Sequence, residues 1–410
     1  MSIYTDAQEI IHSALEACLP DQAVRRALEG KEFGSGRVFL VALGKAAWQM
    51  ARCAAELLGP RLERGVVVTK HGHSQGDIPL CQIFEGGHPV PDEGSFRGTR
   101  AAMELVQDLT PQDTVVLLVS GGGSALFESP LIPAEELAQL TGALLACGAD
   151  IVEMNTVRKR LSAVKGGRFA QLCAPAQVYS IVLSDILGDP LDMIASGPAY
   201  PDRSTCAQAR AIAEKYQLPL SEQARALLDR ETPKELDHVE TVITGSVREL
   251  CAAAAAVCQR LGYETHILTD QLCCQAREAG SFLASIARTH GQEGRSLAFL
   301  AGGETVVLLT GKGLGGRNQE LALSAAEGIS GMENALIFSL GSDGTDGPTD
   351  AAGGIVDGQT QGRLAQAGLT IHQVLADNDA YHALEKVDGL IRTGPTGTNV
   401  NDVAVVLLKG

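Results

Sequence analysis

Two glycine-rich segments constrain this chain more than any other feature. V-L-L-V-S-G-G-G-S-A-L covers residues 116–126, and G-K-G-L-G-G-R-N-Q-E-L covers residues 311–321. Each follows an aliphatic run that reads as a buried parallel strand, and each precedes a stretch with helical spacing. A glycine-rich strand-to-helix turn aims bare backbone N–H groups and the positive end of a helix at one point, which suits an anion, usually a phosphate. Two such turns, the second carrying Arg317, predict an enzyme that handles phosphorylated ligands.

The same alternation runs through the whole chain. Strands are expected at 37–43, 64–70, 113–120 and 178–185, with helical segments between them. A new alternation begins near 239–246 and continues through 263–269, a pair of strands around a Gly-Gly turn in 296–309, 335–344 and 403–408. Residues 5–29 read as an amphipathic helix pair interrupted by Pro20. At 410 residues the chain exceeds what one core usually supports. The composition shift around P-K-E-L-D-H-V-E (233–240) divides it into 1–236 and 237–410. The predicted class is α/β: two domains, each a mostly parallel sheet flanked by helices in Rossmann-like layers, with ligands at the strand carboxyl ends.

The net charge of −16, with no block of Lys or Arg, argues against nucleic acid or an anionic membrane as partner. An anionic ligand must then be held by a local positive site, with magnesium as a neutralising partner. The ten cysteines form no C-x-x-C pair and fit a reducing cytosol. The first residues do not read as a signal peptide, and no apolar run is long enough to span a bilayer, so a cytoplasmic location is expected.

The candidate site residues sit at predicted strand ends. Gly121, Gly122, Gly123 and Ser124 let the backbone curl around an oxyanion, or simply make a tight turn. Gly315 and Gly316 belong to a G-x-G-x-x-G spacing, with Arg317 and Asn318 at the helix start; the obvious acid, Asp343, lies too far along for a dinucleotide fingerprint. Lys45 opens a helix, where its charge opposes the dipole, so a phosphate-binding or catalytic role is favoured over a structural one. Arg160 and Lys165 lie in a basic run (155–169) and suit a carboxylate or phosphate; a solvated helix face is the alternative for that run. Asp185 and Asp189, then Asp343, Asp346 and Asp350, follow strands and suit magnesium, proton acceptance or ordinary turn chemistry. Glu304 follows two glycines as an edge charge or a ligand, and Thr398, Asn399 and Asn401 stand in a polar loop before the last strand. G-x-x-x-x-G-K-[ST], H-E-x-x-H and G-x-S-x-G are absent, and His71, His73 and His88 show no metal spacing.

Taken together, A-L-G-K-A, G-G-H-P-V-P-D, S-G-G-G-S-A-L, N-T-V-R-K-R-L-S-A-V-K-G-G, L-S-D-I-L-G-D-P and I-A-S-G-P resemble the amino-terminal domain of class II glycerate kinases. G-G-E-T-V-V, G-L-G-G-R-N-Q-E-L, G-S-D-G-T-D-G-P-T-D-A-A-G and T-G-P-T-G-T-N-V-N-D resemble their carboxyl-terminal MOFRL domain. The resemblance spans most of the chain in order. It implies two α/β domains with the active site in the cleft between them, and ATP-dependent phosphorylation of D-glycerate, usually to 2-phosphoglycerate. By position Lys45 and Arg317 look like the family's key basic groups, Glu304, Asp343 and Asn399 like its other cleft residues, and Asp185 and Asp189 like its acidic loop. On that reading Lys45 and Arg317 neutralise the moving phosphoryl group, Arg160 or Lys165 binds the glycerate carboxylate, and Asp189 or Asp343 holds Mg2+ or accepts the hydroxyl proton. A nicotinamide-dependent hydroxypyruvate reductase and a non-catalytic anion binder are the competing readings. Nothing in the residues distinguishes a monomer from a homodimer.

Overall fold

The computed structural model describes residues 2–410, which form two compact units, each built on a six-stranded sheet. The first unit takes Val24–Leu183 and Asp189–Thr244; the second takes the chain up to Ala23, Ser184–Gly188 and Gly245–Gly410. The expected break at 236/237 differs in two ways. Residues 237–244 stay with the first unit, because their strand joins its sheet, and the amino-terminal helix Ile3–Ala17 belongs to the second. That helix lies against Val247–Arg260, with Tyr263 and Lys409 both donating to the buried Asp6 carboxylate at 2.7 and 2.6 Å. No spacing in the sequence announces a contact between residues this far apart.

The first sheet consists of β1 (Val38–Leu43), β2 (Leu62–Lys70), β3 (Cys81–Gly86), β4 (Thr114–Val119), β5 (Gln177–Leu183) and β6 (Val239–Gly245), in the order β3-β2-β1-β4-β5-β6. The pairs β2–β3, β1–β2, β1–β4 and β4–β5 are parallel. All six residues of β1 and all six of β4 are buried, as a sheet covered on both faces requires. The strand order reverses between β1 and β4, where a doubly wound sheet opens at its carboxyl edge. The two strands run in step, Leu43 opposite Val119, so the turns that leave them lie side by side.

The second sheet comprises β7 (Glu264–Leu272), β8 (Leu297–Gly303), β9 (Ala335–Gly341), β10 (Gly353–Asp357), β11 (Leu390–Ile391) and β12 (Asp402–Leu408), ordered β11-β10-β9-β12-β8-β7. Helices flank it as expected, but the sheet is mixed: β7–β8 is parallel, and β8–β12, β12–β9, β9–β10 and β10–β11 are antiparallel. Parallel pairing needs a crossover, usually a helix, and β9 reaches β10 through a polar loop with none. Alternate residues serve opposite cores. Leu297, Phe299 and Ala301 of β8 face the helices Ala276–His290 and Arg317–Gly328, while Ala298 and Leu300 face Ile3–Ala17 and Val247–Arg260.

Candidate active site

At the carboxyl edge of the first sheet, the turns after β1 and β4 are laced together. The Lys45 N–H donates to the Gly121 carbonyl at 2.8 Å, the Ala46 N–H to Ser120 Oγ at 3.1 Å, and the Ser120 N–H to the Leu43 carbonyl at 3.0 Å. Gly122 is left-handed (φ 84°), and a Cβ there would meet His88 Cδ2 at 3.0 Å and Lys45 Cγ at 3.2 Å. Only glycine lets both side chains approach the turn. Among the described residues, the N–H groups of Gly121, Gly122 and Gly123 have no hydrogen-bond acceptor, and neither Lys45 Nζ nor Lys70 Nζ has a hydrogen-bond or ion-pair partner. These groups stand ready for an anion. The glycines lead into a single helical turn, Gly123–Leu126, rather than a full helix. Ser124 Oγ turns away to Ser196 Oγ at 2.9 Å, which donates to Asn155 Oδ1 at 2.8 Å.

Arg160 and Lys165, expected to bind a substrate carboxylate, are instead fully buried. The Arg160 guanidinium donates to the Thr156 and Ser204 carbonyls and to Glu231 at 3.2 Å, and faces Asp202 at 3.8 Å. Lys165 Nζ donates to the carbonyls of Ser124 (2.8 Å) and Phe127 (3.0 Å) and pairs with Glu128 at 3.4 Å. Burial brings its pKa down to about 8, against the pull of Glu128. Lys165 thus braces the glycine turn from beneath, and Arg160 holds the loop at 202–204. Their residue type is legible in the sequence; their burial is not.

The glycine segment of the second unit is built differently. The N–H groups of Thr310 and Gly311 donate to Asn378 Oδ1, Lys312 to Asp377 Oδ1, Gly313 to the Asp377 carbonyl and Leu314 to Asp379 Oδ1, all within 3.1 Å. The start of the helix Arg317–Gly328 is occupied by the chain's own carboxylate: Asp346 accepts from the N–H of Asn318 at 3.1 Å and of Gln319 at 2.8 Å. A Cβ on Gly316 would lie 2.2 Å from Asp346 Cγ, and Gly315 lies against Ala380. The donors of 310–314 are thus consumed by distant groups of the chain, whereas the N–H groups of Gly315 and Gly316 have no acceptor among the described residues. Burial raises the Asp346 pKa to about 6, although the two helix N–H groups pull it down.

Arg317 faces a cleft of about 780 Å³ that also takes in Val306, Leu309 and Asp343. Its guanidinium is already engaged: Nε and Nη2 fork onto Asp402 at 2.6 and 3.0 Å, and Nη1 meets Glu304 at 2.5 Å. Burial works against its charge, but the two carboxylates outweigh that and hold it protonated. Asn401 Nδ2 joins the group, 3.3 Å from Glu304 Oε2 and 3.3 Å from the Asp185 carbonyl. Asp402 closes the family motif T-G-P-T-G-T-N-V-N-D, although its residue type and spacing give it no role; it is the first residue of β12, and antiparallel pairing sets it opposite Gly303 and Gly341. Asn399 is exposed and accepts from the Asn401 N–H at 3.3 Å.

Magnesium travelling with a nucleotide needs only one or two protein carboxylates. Among the described residues no group of three or more His, Cys, Asp or Glu is arranged to hold a metal by itself. Asp189 nevertheless suits a shared ion: its Oδ1 is buried without a partner, and its backbone is left-handed (φ 51°). Asp343 is half-buried, with Oδ1 accepting from the Thr345 N–H and hydroxyl at 2.9 and 3.1 Å.

Comparisons with known proteins agree with this architecture. Residues 6–229 match a model described as a domain of unknown function (DUF4147), and residues 297–402 match the MOFRL family. The chain is 52% identical to the D-glycerate 2-kinase of Thermotoga maritima, over 98% of this chain and 97% of that one. It is 40% identical to an Agrobacterium vitis protein provisionally named a hydroxypyruvate reductase, over 91% of this chain and 87% of that one. The crystal structure of a Thermotoga maritima glycerate kinase superposes with a TM-score of 0.95 at 51% identity, covering 98% of this chain and 99% of that chain. The extent and strength of these matches make the chain an enzyme of the class II glycerate kinase family.

Proposed function

We propose that the protein transfers the γ-phosphoryl group of ATP to the secondary hydroxyl of D-glycerate, giving 2-phosphoglycerate. The observation that carries this reading is the unpartnered Lys45 beside three unpartnered glycine N–H groups, where the strand order of a doubly wound sheet reverses. Phosphoryl transfer asks a protein for positioning and for charge placed where negative charge gathers. Lys45 and the N–H groups of Gly121–Gly123 supply such charge without first breaking a bond to the protein. Arg317 is proposed as the second cation. It is aligned by Asp402 and Glu304, at the cost of having those carboxylates partly neutralise it.

Magnesium, when bound with the nucleotide, would screen the phosphate charges, and Asp189 and Asp343 are the residues proposed to hold it, with Asp185 alongside in the same loop as Asp189. Glu304 and Asn399 are proposed to contact substrate. Ten cysteines, none in a disulfide among the described residues, support a reducing, cytoplasmic setting. No helix among the described residues is long and apolar enough to cross a membrane.

The test is direct. Protein, D-glycerate, Mg2+ and ATP are mixed and ADP release is followed; phosphorus NMR of the product then distinguishes the 2- from the 3-phosphate. A parallel mixture with hydroxypyruvate and NADH or NADPH is followed by absorbance. Oxidation of the nicotinamide with no ADP release would replace the kinase reading by the reductase one.

A further inference from the structure

His88 stands against the glycine turn, and neither ring nitrogen has a hydrogen-bond partner among the described residues. Its ring and the Lys45 side chain converge on the same point above Gly122. The charged and titratable groups around it are Lys45 after β1, Lys70 at the end of β2 and His73 just after it, and, on its own connection, Asp92, which lies against Gly87 and is tied to His71 at 2.7 Å. The His73 ring is itself fixed to the Lys45 carbonyl at 3.1 Å. His88 is therefore the one uncommitted imidazole beside an otherwise cationic anion site.

The other candidate proton acceptors are already engaged. Asp343 Oδ1 accepts two bonds from Thr345, Asp346 caps a helix, and Glu304 and Asp402 hold Arg317. Asp189 is the carboxylate suited to magnesium. The kinase reaction still needs a group that takes the proton from the attacking hydroxyl.

We propose that His88 is the catalytic base of this enzyme, accepting the proton of the glycerate hydroxyl during phosphoryl transfer. The inference rests on the kinase reading and deepens it. The glycerate O–H bond breaks and its proton goes to an imidazole nitrogen. The freed oxygen forms a bond to the γ-phosphorus. The bond between that phosphorus and the bridging oxygen breaks, its electron pair leaving with ADP, and the imidazolium returns its proton to solvent. Burial first, then Lys45, Lys70 and His73, lower the His88 pKa below the usual imidazole value, so the ring is neutral and able to accept at neutral pH.

The experiment measures kcat and KM for the full-length wild type, His88→Gln and His88→Asn with D-glycerate and Mg-ATP from about pH 5 to about pH 9. Wild-type kcat is expected to fall on the acid side with a midpoint below the ordinary imidazole pKa. Both variants should lose roughly 10²–10⁴-fold in kcat, with little change in either KM, and should lose that acid limb. A variant that keeps kcat within about threefold, acts only through KM as a phosphate ligand would, or retains the acid limb overturns the proposal. So does a wild-type profile with no acid limb, which decides the matter even if both variants unfold. A wild type that releases no ADP sinks the kinase reading along with this one, whereas an active wild type with unaffected variants sinks only the role of His88.

Discussion

The two glycine segments look alike on paper and differ in kind. At Gly121–Gly123 the backbone donors are uncommitted and the neighbouring lysines lack partners among the described residues. At 311–314 the donors are spent on Asp377, Asn378 and Asp379, the helix start holds Asp346, and Arg317 is forked onto Asp402, which leaves the N–H groups of Gly315 and Gly316 without an acceptor among the described residues. The first segment is arranged for a ligand from outside; most donors of the second are satisfied by the chain itself. A glycine-rich turn becomes an anion site only where the rest of the fold leaves its N–H groups unused.

Substitutions can break this contrast. The largest combined effect is expected from Arg317→Ala. Turnover should fall on the order of 10²–10³-fold, and stability by about 3 kcal/mol, because Asp402 is left buried without its cation. Steady-state kinetics beside a denaturant titration would show both losses. Lys45→Ala should lose turnover to a similar degree while its denaturation midpoint stays put, since its Nζ holds nothing. A clear drop in stability for Lys45→Ala would erase the distinction.

The glycines sharpen it further. Gly316→Ala drives a methyl into Asp346 and should lower the melting temperature by several degrees, about 1–3 kcal/mol of overpacking. Gly122→Ala meets only the side chains of His88, at its ring, and Lys45, at Cγ, and its left-handed backbone costs about 1 kcal/mol. Its main loss should be in kcat/KM, by about tenfold, as those two side chains are pushed aside. Equal stability losses in the two variants would count against a ligand site at Gly122.

The smallest effect concerns the helix cap. The Asp346 pKa, near 6, lies above its unfolded value of 3.8. The native state thus holds more protons between those values, and stability declines as pH rises from about 4 to about 6, by up to about 3 kcal/mol with the cap bonds already included. Asp346→Asn should flatten that part of the stability–pH curve; an unchanged slope would assign the titration to another group.

Much of the architecture is legible in the chain. The aliphatic runs at 37–43 and 113–120 announce buried parallel strands, and V-A-V-V-L-L announces the last strand. The motif resemblance points to the family that the comparisons establish. Within the candidate site, Lys45, Glu304 and Arg317 stand out by residue type at a strand end. Arg160 and Lys165 stand out by the same logic and prove to be buried braces, because a basic residue in a helical run carries no mark of the carbonyls and carboxylates it will meet. His88 and Asp402 fall inside the family motifs G-G-H-P-V-P-D and T-G-P-T-G-T-N-V-N-D, but His88 has no metal spacing and Asp402 opens an apolar strand, so their own residue type and spacing single out neither.

Local pattern, then, determined where strands and helices form, which faces are apolar, and which families of motif the chain carries, since those depend on neighbours a few residues away. Tertiary structure alone decided the direction of β12, the pairing of Arg317 with an aspartate 85 residues further on, and the use of the Gly311 N–H by Asn378, 67 residues away. Strand direction and donor satisfaction are settled by contacts between segments remote in the chain, and hydrophobic periodicity is blind to both.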